Sequence, residues 1–342
     1  MSVERVVVEA PVRVADVGGW TDTWFGAPGR VCNLAVGPGV TVEVLVGGRP
    51  GVRLALPDLG DDYDATMLPG KHPLIEQAIA SLLETVDDPP GLQVSVHSAV
   101  PPGASLGTSA AVVVAVLAGT EVALGRSLAP GEELAARAHA VETERAGRES
   151  GVQDQWAAAC GGASLLAVGP YPDVRRTPIE LPSATRGALA DRLATVVLGS
   201  HDSSAVHREV IDLIVACGGG EHDHARRCFR RLAGSAGDAA EALGAGDLDA
   251  WGALLTDATD TQADLHAGLV GVAHRRAIEI ARAHGALGWK VNGAGGEGGS
   301  LTVLAPDGDA AAALRDALAA ADAAWVVPDL RPADEGVGLV TR

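Results

Sequence analysis

Short β-branched runs, punctuated by Gly, Pro or Asp, dominate the first third of the chain. Val3–Glu9, Val31–Val36, Val40–Val46 and Leu92–Val96 each predict a strand. Longer apolar patterns predict helices over Pro73–Glu84, Ser109–Val122 and Glu132–Ala146, and Ala163–Val168 reads as a closing strand. Four prolines within Gly169–Pro182 mark a boundary. Helices follow over Ser203–Ala216, His224–Leu243, Leu248–Ala267 and Val272–Ala283. Strands at Leu287–Asn292 and Ser300–Leu304 flank a glycine loop, ahead of a helix at Asp309–Ala320 and closing strands at Ala324–Val327 and Gly338–Thr341. This order predicts an α+β fold, its second half a small antiparallel sheet with helices on one face.

Composition narrows the function classes. A chain of 342 residues, 47% of them hydrophobic, can bury two cores. Its net charge of −18 argues against a nucleic-acid partner or an acidic membrane. The longest apolar run, Ala110–Ala118, is too short to cross a bilayer. Cys32, Cys160, Cys217 and Cys228 have no disulfide-framework spacing, and the charged, strand-like start lacks a secretory pattern, so a cytoplasmic location is expected. The cluster Cys217, His222, His224 and Cys228 has no common zinc spacing. Only two lysines occur, Lys71 and Lys290, which makes each more informative than usual.

Candidate chemistry gathers in four segments. In 100-VPPGASLGTSAA-111 a glycine- and hydroxyl-bearing loop opens a buried helix, a place where backbone N–H groups and the helix dipole favour an anion. Its Gly103-x3-Gly107-Thr108-Ser109 spacing is one short of a Walker A loop and lacks the lysine. A nucleotide held there needs a metal ion, for which Ser109 Oγ is one ligand and a neighbouring carboxylate the other. Glu142, Glu144 and Glu149 precede Asp154 in 140-AVETERAGRESGVQDQWAAACGG-162, and an unpaired carboxylate at Asp154 would be costly to bury. In 10-APVRVADVGGWTDTW-24, Arg13 lies in an apolar strand and needs an anion, which Asp16 or Asp22 could supply within the segment. In 293-GAGGEGGS-300 the Gly-x-Gly-x-x-Gly match is followed by a strand rather than a helix, which rules out a dinucleotide fingerprint. A hairpin whose glycine turn reaches over a ligand fits better.

Taken together, 10-APVRVADVGGWTD-22, 100-VPPGASLGTSAA-111 and 290-KVNGAGGEGG-299 resemble the three motifs of the GHMP kinases, in order and across nearly the whole chain. The resemblance implies a two-domain fold: a part like domain 2 of ribosomal protein S5 over 1–178, a ferredoxin-like part over 179–342, and a cleft between them. It implies ATP bound by Pro102, Gly103, Ala104, Ser105, Leu106, Gly107, Thr108 and Ser109, with Gly295 and Gly296 closing over the phosphates. Mg²⁺ would be held by Ser109 and Glu144, with Glu142 as the fallback. Asp154 would act on the attacking hydroxyl, Arg13 would stabilise the transferred charge, and Gly19, Trp20, Thr21, Asp22 and Asp154 would contact the substrate. The first motif has 18-GGWTD-22 where galactokinases carry Gly-Glu-His-Thr-Asp. With the 151-GVQDQ-155 element this looks more like heptose 7-phosphate kinases and fucokinases. The resemblance thus implies an ATP-dependent kinase of an anomeric sugar hydroxyl, heptose 7-phosphate first and fucose- or galactose-like sugars second, active as a monomer or homodimer. A catalytically silent sugar and ATP sensor is the alternative of another class. Ser105 and Glu297 stand where the family usually has glycine. A phosphorylated acceptor would need further cations, for which Arg30, Lys71, Arg175, Arg176, His207 and Arg208 qualify by type.

Overall fold

A computed structural model describes residues 4–65, 70–200, 204–216 and 218–340. Two long strands found the first sheet. β1 (Glu4–Val17) pairs antiparallel with β2 (Gly29–Val46), and β3 (Val52–Leu56) and β4 (Asp61–Asp64) follow. After α1 (Pro73–Leu83) comes β5 (Leu92–Ser98), then α2 (Thr108–Ala123) and α3 (Gly131–Ala140). A π-helical turn over Val141–Arg145 continues α3, and α4 (Gln153–Cys160), β6 (Ala163–Val168) and β7 (Val174–Ile179) complete this half. The central order is β1-β2-β5-β3-β4, with β6 on the far stretch of β2. α2 is buried on nearly every side because Val8, Val42 and Val44 cover one face while α1, α3 and α4 pack on the others. Its Ala/Val composition suits that close approach better than large side chains would.

The second half begins with α5 (Ser183–Arg192), β8 (Leu193–Gly199), α6 (Ser204–Val215), α7 (Gly220–Ala245) and α8 (Leu248–Leu265). α9 (Val272–Ala283), β9 (Gly288–Val291), β10 (Gly299–Leu304) and α10 (Gly308–Ala321) follow, and the short strands β11 (Arg331–Pro332) and β12 (Gly338–Leu339) end the chain. β8, β10 and β9 form a three-stranded antiparallel sheet. Trp289, Val291, Leu301 and Val303 face α9 and α10, whereas Lys290 points the other way, to α8. The α+β expectation holds, with one revision: helices cover both faces of the small sheet. The reason is the all-buried pattern of β9 and β10, which leaves no wet side.

Other expectations shift in detail. The runs 31–36 and 40–46 are one strand, β2. Expected helix 132–146 passes into the π turn at Val141. The expected strand at Ala324–Val327 reduces to one bridge, Val326 to Val197. The last strand leaves the small sheet, and β12 and β11 pair with β1 and β2. Val3, Ser203, Cys217 and Thr341, named above, lie outside the described residues. Among the described residues, no helix is long and apolar enough to cross a membrane, and no group of three His, Cys, Asp or Glu is placed to hold a metal.

Contact between β9 and α8 is close enough to test. A β-carbon on Gly288 would sit 1.8 Å from the Gly252 carbonyl oxygen, a backbone atom that cannot swing aside. Gly288→Ala should therefore lower unfolding free energy by about 2–3 kcal/mol. Gly187→Ala, in α5 with nothing within 4 Å of the added methyl, should raise it by about 0.5–1 kcal/mol. Urea denaturation of both variants checks the contrast.

Candidate active site

The opening loop is built around left-handed backbone. Gly103, Ser105 and Gly107 have φ of 74°, 57° and 73°, and Gly107 then caps α2. Ser105 tolerates this conformation while its carbonyl oxygen accepts a hydrogen bond from Arg13 Nη1 at 2.5 Å. Arg13 N also donates to Leu106 O at 2.9 Å, so strand β1 holds the loop at two points. Gly107 must lack a side chain, because a β-carbon there would lie 3.0 Å from Asp154 Cγ.

Asp154, in the first turn of α4, faces Arg13. Arg13 Nε donates to Asp154 Oδ1 at 2.8 Å and Nη2 to Oδ2 at 3.3 Å, a forked pair. The Arg13 side chain is 5% exposed and that of Asp154 26%, so the carboxylate alone opens to the cleft. Burial works against the Arg13 charge, but Asp154 and then Asp16 hold its pKa above the ordinary value. Neither Asp16 nor Asp22 is its ion-pair partner. Asp16 instead accepts from Gly293 N at 3.1 Å and lies 3.6 Å from Lys290 Nζ. Lys290 donates to Gln262 Oε1 at 2.8 Å, and burial pushes its pKa down while Asp16 resists. Ala15 N donates to Asn292 Oδ1 at 3.0 Å. β1 is thus tied to the small sheet as well as to the loop.

One cleft of about 480 Å³ collects most of the sequence-derived candidates. Arg13, Trp20, Asp22, Gly103, Ala104, Ser105, Leu106, Gly107, Thr108, Ser109 and Asp154 all line it. Pro102, Gly19 and Thr21 do not, and Thr21 Oγ1 is occupied with backbone, donating to Gly18 O and accepting from Arg30 N. From the third motif Gly293 and Ala294 reach the cleft, whereas Gly296 N donates to Leu269 O and Gly295 packs on the same residue. Glu297 turns away to the start of α9, where its Oε1 accepts from Val272 N at 3.2 Å.

The π turn places the two glutamates differently. Glu144 is exposed and outside the lining, while Glu142 is 4% exposed and inside it. The extra residue in the turn rotates the positions after Val141 relative to an α-helix, a displacement that sequence spacing did not signal. Burial and then Asp154 raise the pKa of Glu142 to about 7. Burial, and after it Asp154, raise that of Asp22 to about 6 against a hydrogen bond from Gln153 N. Glu142 Oε1, Ser105 Oγ and Thr108 Oγ1 are buried without a hydrogen-bond partner among the described residues. Phosphate oxygens and a cation between Ser109 and Glu142 are what such atoms would satisfy, so the donor set fits a nucleotide with Mg²⁺. Arg148, Glu149, Ser150, Gln153 and His207 also line the cleft. Of these only His207 and Glu149 were named from sequence. Of the other cations proposed there, Lys71 pairs with Asp61, Arg176 bonds Ser164 Oγ, and Arg30 and Arg175 line a separate groove.

The model for the N-terminal domain of GHMP kinases matches residues 73–162, and that for the C-terminal domain residues 239–324, together more than half of the chain. The protein belongs to the GHMP kinase family, which makes it an ATP-dependent kinase with the two-domain fold of that family. By sequence it matches no curated protein. Its fold is similar to that of a D-glycero-D-manno-heptose 1-phosphate kinase from Bacteroides thetaiotaomicron, at 17% identity and a TM-score of 0.76 over 98% of this chain and 99% of that one. A galactokinase from Lactococcus lactis, complexed with galactose, gives 18% and 0.74 over 98% and 95%. The mevalonate kinase of Methanococcus jannaschii gives 17% and 0.76 over 97% and 99%. At these identities the likeness is one of fold.

Glu142 supplies a pH test. Its folded pKa of about 7 exceeds the ordinary 4.5, so the native state keeps a proton that the unfolded chain releases. Ionising it therefore costs stability, a penalty absent below about pH 4.5 and complete above about pH 7, on the order of 3 kcal/mol. Glu142→Gln should gain stability relative to the unsubstituted protein between pH 5 and pH 8, and denaturant titrations across that range check the slope.

Proposed function

We propose that the protein is a cytoplasmic, ATP- and Mg²⁺-dependent sugar kinase that phosphorylates an anomeric hydroxyl, with a heptose 7-phosphate as the first candidate acceptor. Residues 1–178 would carry the nucleotide and residues 179–342 the other wall. The observation that supports this reading most is the forked Arg13–Asp154 pair, whose open carboxylate edge faces the loop Gly103–Ser109 and shares a cleft with Asp22. Backbone N–H groups of the loop and the start of α2 would receive the phosphates. Ser109 and Glu142 would hold Mg²⁺, which when bound neutralises phosphate charge. Asp154 would accept the proton of the attacking hydroxyl or orient it, and the forked hydrogen bonds from Arg13 hold the Asp154 carboxylate in place. Asp22, backed by Gln153 N, would hold sugar hydroxyls beside Trp20, whose ring lies 5.0 Å from that of His207.

Arg148 and His207 would receive the acceptor's own phosphate at the rim. A second reading, an unphosphorylated fucose- or galactose-like acceptor, is supported by the four carboxylates of the lining: Asp22, Glu142, Glu149 and Asp154.

ATP turnover with a panel of sugars and sugar phosphates tests this. Asp154→Ala should lower kcat by about 10²–10⁴-fold with nucleotide affinity little changed. Arg148→Ala should raise KM about tenfold or more for a phosphorylated acceptor and leave a neutral one unchanged. Nucleotide binding without turnover on any acceptor would replace the kinase reading with that of a silent sensor.

A further inference from the structure

Behind the substrate loop lies a concentration of positive charge that the cleft does not use. Two adjoining grooves, of about 680 Å³ and about 590 Å³, share Pro28 and Ala233 as their common ridge. Arg30 and Arg175 line the first, and Arg226, Arg227 and Arg230 of α7 line the second. All five are exposed, and none makes an ion pair among the described residues. Their neighbour Arg231, by contrast, is paired with Asp257 and Asp264. Only Asp173 and Asp223 are acidic in the two linings.

In a chain of net charge −18, five unpaired arginines on one face need a reason. Left exposed and close together they repel one another, and nearby carboxylates would ordinarily have been drawn to them. Guanidinium groups are well matched to phosphate oxygens, which they bind through paired N–H donors. Each groove also has the volume of a small-molecule site rather than of a flat protein interface. The wall is preformed: Arg30 Nη1 would lie 3.8 Å from a β-carbon at Gly237, which sets the guanidinium against α7.

We propose that the paired grooves are one binding site for a small molecule bearing two or more phosphate groups, separate from the nucleotide cleft. Its floor is the back of the loop that carries Asp22. Arg30 N donates to Thr21 Oγ1 at 3.0 Å, and Phe229 in the second groove packs on Phe25, which in turn packs on Trp20. A ligand in the grooves therefore touches the outer side of the acceptor loop.

Inorganic pyrophosphate is the probe, measured by calorimetry after the cleft has been filled by a non-hydrolysable ATP analogue in the presence of Mg²⁺. The loaded protein should still take up pyrophosphate. Arg30→Gln with Arg175→Gln, and separately Arg226→Gln with Arg230→Gln, should each weaken that uptake at least tenfold, while Asp154→Asn leaves it unchanged. Unaltered thermal melting shows that the variants fold. Competition by ADP, against competition by a hexose bisphosphate, separates a nucleotide from a sugar as the source of the phosphates. No uptake below about 1 mM, or uptake by both arginine variants equal to that of the unsubstituted protein, would overturn the site. Should the ATP analogue itself not bind, the kinase reading fails, and arginine-dependent uptake remains measurable on the free protein.

Discussion

The fold of the cleft depends on how one strand disposes of its buried charges. β1 carries Arg13 into an interior where an unpaired guanidinium would cost several kcal/mol. Asp154 meets it from α4 and Ser105 O from the loop, so strand, helix and loop share one fixed point. The pairing of β1 with β2 then slips between Val14 and Val17, where Ala15 adopts a φ of 56°. That irregularity turns Asp16 inward, to Gly293 N and Lys290 of the other sheet. Arg13 thereby anchors the loop and α4, and Asp16 the small sheet, three residues apart on one strand.

This arrangement explains why removing one member should be worse than its solvent exposure suggests. Without Arg13, Asp154 would remain beside Asp22 and Glu142, three carboxyl groups all partly or fully buried with no cation among them. The pKa values of Asp22 and Glu142 are already raised, by burial first, with Asp154 adding to each. The same acidity bears on the nucleotide. A phosphate chain placed beside these carboxylates would be repelled unless a cation lay between, and 103-GASLGTS-109 holds no lysine to serve as one.

Much of this was readable from the chain because loop chemistry is local. The glycines and hydroxyls of 100-VPPGASLGTSAA-111 state their backbone conformation directly, and Arg13 in an apolar run demands a partner. What stayed hidden depends on phase or on distance along the chain. Glu142 and Glu144 differ by which way a π turn rotates them, and no residue type in 141-VETER-145 announces that turn. β11 and β12 are two residues each and are strands only because β2 and β1 offer free edges. Asp154 as the partner of Arg13, 141 positions away, could not be preferred from sequence over the nearer Asp16. Lys290 was conspicuous by rarity, yet its role emerged only with the packing of β9 on α8.

The charge distribution finally constrains the acceptor. The interior of the cleft is acidic around Asp22, Asp154 and Glu142, and its one deep cation, Arg13, is spent on Asp154. Hydroxyls can donate to such a surface, whereas a phosphate monoester placed there would face three carboxylates. If the acceptor carries a phosphate, that group must point outward, toward Arg148 and His207, with the reacting hydroxyl at the opposite end near Asp154. A long sugar phosphorylated at the far end from its anomeric carbon meets that requirement. A sugar with its phosphate next to the reacting hydroxyl does not, and electrostatics alone would keep it out.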